Sequence, residues 1–168
     1  RRCLDARFLR WLHGTETCPV PGRELFQLRN GEKEGEIPMG SAVPRYTAAG
    51  RSGMAGRPTP GVPAPALIIS RVGTYCGAVF RSEEPCCVSA NAFYLSGHSD
   101  AVRLDILWLL LRTARLNRLK RGSGQPYLTQ ELLLDRMYSV PSLEGQDQFL
   151  TREGELIREI QTLERMLG

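Results

Sequence analysis

The last quarter of the chain carries the pattern that most restricts its fold, because it predicts a long helix with one apolar stripe. Apolar residues recur there at steps of three, four and seven positions: Phe149, Leu156, Ile160, Leu163 and Leu167. Glu153 is the one polar residue in the stripe. A stripe of this kind needs another helix to cover it. At about 24 residues, roughly three heptads, the helix is short for an autonomous coiled coil. We therefore expect it to pair with a partner helix or to continue in a longer protein, with folding back on its own domain as the alternative.

The segment from Met39 to Pro65 is the second constraint, since ten of its residues are glycine or proline. This composition opposes regular elements and favours a long ordered loop. Loops of that length inside a compact domain are usually functional. We therefore expect this segment to form part of a binding surface.

The centre of the chain is predicted to be rich in strands. Ala66–Ser70 has the composition of a strand, Gly77–Phe80 of its continuation or hairpin partner, and Cys87–Leu95 of a further strand. An edge strand is expected over Arg136–Val140, ending at Pro141. The first forty residues predict no clear element, and residues 8–12 fit either a strand or a short helix.

Two helices are expected besides the terminal one. The first begins after Ser99 or Asp100, either of which can cap it, and runs to about Lys120, where residues 122–124 stop it. A short helix is expected within residues 127–134. At 168 residues the chain fits one ordinary domain with an appendage.

Charge is distributed unevenly along the chain, although the net charge is only +4. Residues 37–82 contain five arginines and no acid, and residues 103–130 contain six basic residues against Asp105 alone. From Glu131 onward four arginines face eight acids. We therefore expect a basic globular part that faces a polyanion and a more acidic helix that faces solvent or protein.

Several classes of protein are disfavoured by what the sequence lacks. The longest apolar run, Ile106–Leu111, is far shorter than the roughly 20 residues of a membrane-spanning helix. The chain begins at Arg1 without a signal-peptide core, so we expect a cytoplasmic fragment of a longer product. The five cysteines form no CxxC pair, and the two histidines complete no metal-ligand pattern. We expect neither metal nor cofactor.

Motifs for catalysis on DNA are also missing from the sequence. An adenine methyltransferase needs a glycine-rich cofactor loop and an Asn/Asp-Pro-Pro-Tyr/Phe motif. A nuclease needs clustered carboxylates, and a motor needs a phosphate loop. We therefore expect a protein that is not itself an enzyme.

Four short segments are more specific in combination than any of them alone. Residues 43–53 carry a tyrosine and paired glycines. Residues 68–79 read as an apolar strand, Arg-x-Gly and then Gly-x-Val, followed by a strand at 88–92. Residues 122–128 read Gly-Ser-x-Gln-Pro, and residues 140–146 read Pro, x, Leu, x, Gly-Gln. In this order, over about residues 40–165, they resemble the target-recognition domain of a type I restriction-modification specificity subunit. One difference is Gly145, which stands where that family usually has Glu.

The resemblance implies an α+β fold with two parts. Residues 1–141 would form a β-rich target-recognition domain with a long helix, and residues 142–168 a coiled-coil-like spacer helix or dimerisation arm. The implied function is sequence-specific recognition of double-stranded DNA, as half of a specificity subunit that directs a partner adenine methyltransferase and a restriction subunit. A homodimer through the C-terminal helix is a further expectation.

Candidate site residues follow from the chemistry of DNA. Arginine binds phosphates and guanine edges bidentately, and glutamine pairs with adenine. Glycines at 50, 53, 73 and 77 permit positive φ, and they let backbone amides approach phosphates. Tyr46 is expected either to stack or to pack beneath the loop. The candidate DNA-binding residues are Arg45, Tyr46, Arg51, Arg57, Ser70, Arg71, Thr74, Lys120, Arg121, Ser123 and Gln125. The candidate helix interface is Phe149, Leu156, Ile160, Leu163 and Leu167.

Three other functions remain open. A single-chain restriction-methylation enzyme would carry the same recognition domain together with catalytic motifs. A protein-interaction module would use the helix stripe, and its basic surface would be incidental. A small hydrolase would use Cys76 or Cys86 with His98, although no third orienting group is evident.

Overall fold

The computed structural model describes residues 2–33, 39–55 and 61–167. Helices and strands alternate irregularly along these ranges. In chain order the elements are α1 (Arg2–His13), β1 (Thr17–Pro21), α2 (Gly22–Leu25), β2 (Phe26–Asn30), β3 (Met39–Thr47), β4 (Gly50–Ala55), β5 (Ala66–Ser70), β6 (Val79–Ser82), β7 (Cys87–Val88), β8 (Ala92–His98), α3 (Leu104–Thr113), a 3-10 turn (Leu116–Arg118), α4 (Gln130–Leu134), β9 (Met137–Pro141) and α5 (Leu143–Leu167). The predicted α+β fold with a long C-terminal helix is confirmed.

The described strands form three sheets. A four-stranded sheet has the order β2-β8-β5-β6, a three-stranded sheet has the order β4-β3-β7, and β1 pairs with β9. Neighbouring strands are antiparallel except β3 and β7, which are parallel. Every residue of β5 is buried, so this strand lies at the centre of the fold.

The two faces of β5 pack against different layers, as expected from the alternation of side chains along a strand. Leu67 and Ile69 belong to the main core with the helices. Ala66 and Ile68 belong to a second cluster, together with Tyr46 of β3 and Val88 of β7. The four-stranded sheet is therefore covered by helices on one face and by the β3-β4-β7 layer on the other.

Helix α3 is the centre of the main core. Residues 106–111 are all buried, which explains why this apolar run shows no polar face. Arg112 and Arg81 cover the Trp108 ring with their guanidinium groups, 4.8 and 5.5 Å from its centroid. Helix α5 joins the same core through Phe149, whose ring lies 5.5 Å from that of Phe8 and 4.4 Å from that of Trp11.

The strand predictions hold where the pattern is local. β5 has the predicted bounds, and β6 is its antiparallel hairpin partner, with Ile68 opposite Phe80. The predicted edge strand is β9, and the short helix is α4, which Thr129 caps. The single strand predicted over Cys87–Leu95 is wrong, since β7 and β8 are separated by a turn. In the described part of the first forty residues, α1, β1, α2 and β2 precede β3, which begins at Met39, and residues 8–12 belong to α1.

The long loop predicted over residues 39–65 is wrong for residues 39–55, which form the β3-β4 hairpin. Its register shifts on either side of Pro44, where the missing N–H is accommodated by an irregular ladder. Gly50 and Gly53 adopt φ of +96° and +92°. Glycine and proline therefore shape an irregular hairpin here rather than prevent one.

Helix α3 is shorter than predicted at both ends. It begins at Leu104 after Arg103, and the Ser99 hydroxyl instead accepts a bond from Ala101 N–H one turn earlier. The helix ends at Thr113 and not at the predicted Lys120, because Arg115 takes a left-handed conformation with φ +52° and a 3-10 turn follows.

The apolar stripe of α5 differs from its prediction, because its first part is covered by this chain. Phe149 and Ile160 are buried and Leu156 packs against the core, so the alternative of a helix folded back on its domain holds there. Glu153, the polar interruption, is buried and accepts a 2.7 Å bond from Arg7 of α1. Leu163 remains 48% exposed, and the side chain of Leu167 lies outside the described part. The division at residues 141 and 142 stays a prediction.

Candidate nucleic-acid interface

The turn between β5 and β6 and the loop after α3 meet at one end of the sheet. We call residues 71–78 and 115–127 together the basic tip. In the turn, Gly77 N–H donates to Ser70 O at 2.8 Å, Ala78 N–H to Tyr75 O at 2.8 Å and Cys76 N–H to Gly73 O at 3.0 Å. These three bonds hold the turn as a closed unit.

Main-chain bonds also join the two segments of the basic tip. Gly73 N–H donates to Pro126 O at 2.8 Å, and Leu128 N–H donates to Arg71 O at 2.7 Å. Arg121 and Tyr127 exchange two bonds of 2.9 Å, which close the loop between them. Residues more than 40 positions apart in sequence therefore form one surface whose shape depends on backbone atoms.

The charge of this surface is uniformly positive. Four basic side chains are exposed on it: Arg115, Arg118, Lys120 and Arg121. None of the ion pairs among the described residues involves any of the four. Residues 71–82 and 106–130 contain no acid at all. An acid-free cluster of solvated cations is the electrostatic pattern that a polyphosphate backbone requires.

Polar side chains suited to base edges lie among these cations. Thr74, Ser123 and Gln125 are exposed on the two adjoining segments. A glutamine amide is able to pair bidentately with adenine, and a hydroxyl with several bases.

Burial raises the pKa of the Cys76 thiol, and the positive charge of Lys120 partly offsets that increase. The loop that carries Lys120 packs against the turn through the backbone of Asn117.

Two glycines make close packing within the basic tip possible, Gly77 between its two segments and Gly122 inside the 115–127 loop. Gly77 has φ +89°, and a Cβ there would lie 2.4 Å from the Asn117 backbone nitrogen. Gly122 has φ +85°, and a Cβ there would lie 2.8 Å from Gln125 O. No other residue fits either position without movement of the backbone. The positive φ expected at residues 50, 53, 73 and 77 is confirmed at all four.

Arg71 lies at the base of the tip rather than on its surface. Its guanidinium donates to Ala90 O at 3.3 Å and covers the Phe93 ring at 5.2 Å. Ser70, the residue before it, is fully buried, and its hydroxyl donates to Val72 O at 3.5 Å. Both residues therefore support the tip from within, and only Arg71 retains partial exposure.

The other predicted DNA-binding residues lie on β3 and β4. Tyr46 is buried and donates to Arg81 O at 3.3 Å, so it packs beneath the surface as one of its two expected roles required. Burial raises the pKa of its phenol. Arg51 lines a narrow crevice with Glu83 and Glu84, at the end of the β5-β6 hairpin away from the turn. Arg45 is half-buried, and Arg57 lies outside the described residues.

The charge prediction is wrong for three arginines, because acids outside their own basic segments pair with them. Arg81 contacts Asp105 and Glu83, both at 2.5 Å. Arg103 donates twice to Asp147, at 2.8 and 2.9 Å. Arg112 contacts Asp5 at 3.0 Å. The basic surface that remains is therefore smaller than the sequence suggests and lies mainly at the tip.

Several exposed tip residues were missing from the predicted set. Tyr75 is 56% exposed and Tyr127 is 41% exposed, whereas Arg115 and Arg118 entered only the count of charges. The sequence pattern predicts that the long helix continues through residues 115–118, which would place Arg115 and Arg118 on a helix surface. The left-handed conformation of Arg115, which carries no glycine signal, is the reason for that error.

The two cysteines proposed for a hydrolase, Cys76 and Cys86, lack the features of a nucleophile. Burial raises the pKa of the Cys86 thiol to about 12, and it raises the pKa of Cys76 as well. A reactive cysteine has a lowered pKa and partial exposure. Within the described ranges, no three Cys, His, Asp or Glu side chains are grouped as metal ligands would be. The helices described there include none that is both long and apolar enough for a bilayer.

Comparisons with known proteins give a consistent family. The model of the type I restriction modification DNA specificity domain matches residues 18–164. A search of curated proteins finds no match.

Solved structures share the fold at low sequence identity. The S subunit of a type I restriction-modification system from M. genitalium has 18% identity and a TM-score of 0.65, over 96% of this chain and 48% of its own. The HsdS subunit from Thermoanaerobacter tengcongensis has 15% identity and a TM-score of 0.64, over 99% and 48%. A structure concerning complex assembly and conformational transition of the type I R-M system has 15% identity and a TM-score of 0.64, over 99% and 50%.

This chain spans about half the length of these solved relatives. Since the family model covers most of the chain, the identification rests on it, and the solved structures add agreement of the fold. The chain belongs to the family of type I restriction modification DNA specificity domains.

Proposed function

We propose that this chain recognises a double-stranded DNA sequence through the basic tip, as one half of a type I specificity subunit. The observation that carries the proposal is the acid-free group of exposed cations, which two backbone-bonded segments hold beside Thr74, Ser123 and Gln125. Phosphate contacts from such cations position a protein on a duplex, and polar groups between them read base edges. The chain performs no chemistry itself in this proposal; it directs an adenine methyltransferase and a restriction subunit.

The predicted site divides into three groups under this proposal. Lys120, Arg121, Ser123, Gln125 and Thr74 contact DNA directly. Ser70, Arg71 and Tyr46 support the tip or the adjoining hairpin from below. Arg45, Arg51 and Arg57 stay predicted contacts to a more distant part of the duplex.

The experiment is selection from a library of random duplexes, followed by binding measurements at several salt concentrations. We expect one enriched sequence. Lys120→Ala and Arg121→Ala should each reduce the slope of log K against log salt by about 1, since each removes about one phosphate contact.

Arg158→Ala is the matched control. Arg158 is an exposed arginine of α5 that lines a crevice with Arg81 and Asp105, away from the tip. This variant loses the same formal charge, so it should leave the slope unchanged. A failure to enrich any duplex, or equal slopes for all three variants, would contradict the proposal.

The C-terminal end of α5 is the part of the helix that leaves apolar side chains exposed for the proposed helix interface. Leu163 is 48% and Met166 is 74% exposed, whereas the earlier positions of the stripe are covered by the domain. We propose that this end contacts a helix of the methyltransferase subunit or of a second copy. Light scattering tests the second copy: a dimer that Leu163→Lys separates would support it, and a monomer at every concentration would leave only the methyltransferase contact.

The alternatives have less support. An interaction module built on the whole stripe would need Phe149 and Ile160 exposed, and both are buried. A cysteine hydrolase would need a thiol of low pKa. A single-chain restriction-methylation enzyme would use the same tip, and the mass of the natural full-length product distinguishes it from a separate specificity subunit.

A further inference from the structure

We propose that Tyr75 is an intercalating wedge, whose ring enters a base step of the duplex held by the basic tip and opens that step. The inference deepens the proposed function and rests on it. It assigns to the tip a way of deforming DNA in addition to contacts with phosphates and base edges.

The first observation is the position of the ring. Tyr75 lies at the apex of the 71–78 turn and is 56% exposed. In the part of the chain that the structure describes, its side chain takes part in no hydrogen bond and no aromatic contact. An aromatic side chain normally buries 150–250 Å² in a core or an interface. More than half of the Tyr75 side chain is exposed, so that part of its surface is available to a ligand.

The second observation is that the backbone beneath the ring is fixed. Tyr75 O accepts from Ala78 N–H at 2.8 Å, and the turn is bonded on both sides to Ser70 and Pro126. A tyrosine has only two χ angles, so little conformational freedom is lost when a fixed turn presents it. Preorganisation of this kind leaves more of the stacking energy for binding.

The third observation is that the loop bonded to this turn carries exposed cations. Lys120 and Arg121 lie on the loop that is bonded to this turn, without acidic partners among the described residues. Proteins that insert side chains between bases combine phosphate clamps with one projecting wedge, and the contacts of the deformed duplex offset the cost of unstacking. Exposed cations beside one projecting ring match that requirement.

Tyr127 provides a contrast within the same tip. It is 41% exposed, yet its ring lies against the loop: a Cβ on Gly122 would be 3.2 Å from its Cδ1 atom. Its backbone also pairs with Arg121 and Val72. Tyr127 is therefore an aromatic side chain of the tip that packs against its own loop and does not project from it. Its substitution removes a similar aromatic surface, so it is a control for that general effect.

The test uses the duplex enriched by selection, in its intact form and in a series with a single abasic position moved along the site. A missing base removes the cost of unstacking at that position. Wild-type protein should therefore bind one member of the series at least about tenfold more tightly than the intact duplex. Tyr75→Ala should reduce that ratio to about one, whereas Tyr75→Phe and Tyr127→Ala should preserve it.

The outcomes separate this inference from the proposed function. Tight, salt-dependent binding of intact duplex with no preferred abasic position would overturn the wedge and leave DNA recognition standing. Equal loss in Tyr75→Phe and Tyr75→Ala would assign the effect to the hydroxyl and would also overturn it. The absence of binding to any duplex would overturn both. Because Tyr75 is exposed, its variants should fold as the wild type does.

Discussion

Replacing Gln146 by alanine removes the amide that joins the start of α5 to the segment before α3. Gln146 is fully buried. Its Oε1 accepts from Arg103 N–H at 2.8 Å, and its Nε2 donates to Ala101 O at 3.0 Å and to Pro141 O at 2.8 Å. The bond to Pro141 is buried, whereas the other two are partly accessible to water.

The expected loss follows from these three bonds. Each contributes about 0.5–1.5 kcal/mol net, and a buried group left without a partner costs more. In the variant, water is able to bind the two backbone groups that lose the partly accessible bonds. We therefore expect the free energy of unfolding to fall by about 2–3 kcal/mol in total. For a domain of this size that corresponds to a decrease in Tm of roughly 4–12 °C.

Gln148→Ala is the matched control, because it makes the same substitution two positions further along the helix. Gln148 is exposed, and its amide donates to Glu144 Oε1 at 3.2 Å. Urea and thermal unfolding of both variants measure the difference, which should be at least about 1.5 kcal/mol, since exposed substitutions usually lie within 0.5 kcal/mol. Equal unfolding free energies for the two variants would refute the reasoning that Gln146 clasps α5 to the domain.

Three further results are expected. Gly145→Ala should raise the Tm slightly, because a Cβ there meets nothing closer than 3.4 Å and alanine gains up to about 1 kcal/mol of helix propensity; a lower Tm would show that the site is tighter than described. A thiol reagent should label Cys3 and Cys18 quickly in native protein and the three buried cysteines only after denaturation, as counted by mass spectrometry; five fast thiols would contradict the burial. The bond from Arg103 lowers the pKa of Asp147 below its usual 3.8, so the pair stabilises the fold above that pH and the contribution disappears as pH falls further. Urea titrations should therefore give wild type and Asp147→Asn stabilities that converge on acidification, and a constant difference would exclude this linkage.

Local patterns in the sequence predicted the parts of the fold that neighbouring residues determine. The β5-β6 hairpin, α5 and the positive φ at Gly73 and Gly77 all depend on residues within a few positions of one another. The composition of residues 39–55 opposes regular strands, so it does not predict the β3-β4 hairpin. The hairpin forms because its register shifts accommodate the glycines and Pro44.

Contacts between distant residues account for the remaining errors. Arg112 pairs with Asp5, 107 positions away, and Arg103 pairs with Asp147, 44 positions away. A count of charges within one segment does not show that these two arginines are neutralised. The cover over the α5 stripe comes from Phe8 of α1, in a region without a clear pattern. The backbone of the basic tip is predictable where glycines mark its turn and its loop, and it is not predictable at Arg115, whose left-handed conformation has no sequence signal. The DNA-contact roles of its side chains stay a prediction.

The bonds that close the tip run between peptide groups, from Gly73 to Pro126 and from Leu128 to Arg71. A surface joined in this way tolerates exchange of the residues it displays, provided that the glycines stay. Among the described residues, the side chains of Thr74, Ser123 and Gln125 make none of the bonds that close the tip, so we expect their replacement to leave the domain folded. If the tip reads DNA as proposed, single substitutions at these positions would change the target sequence without a loss of stability.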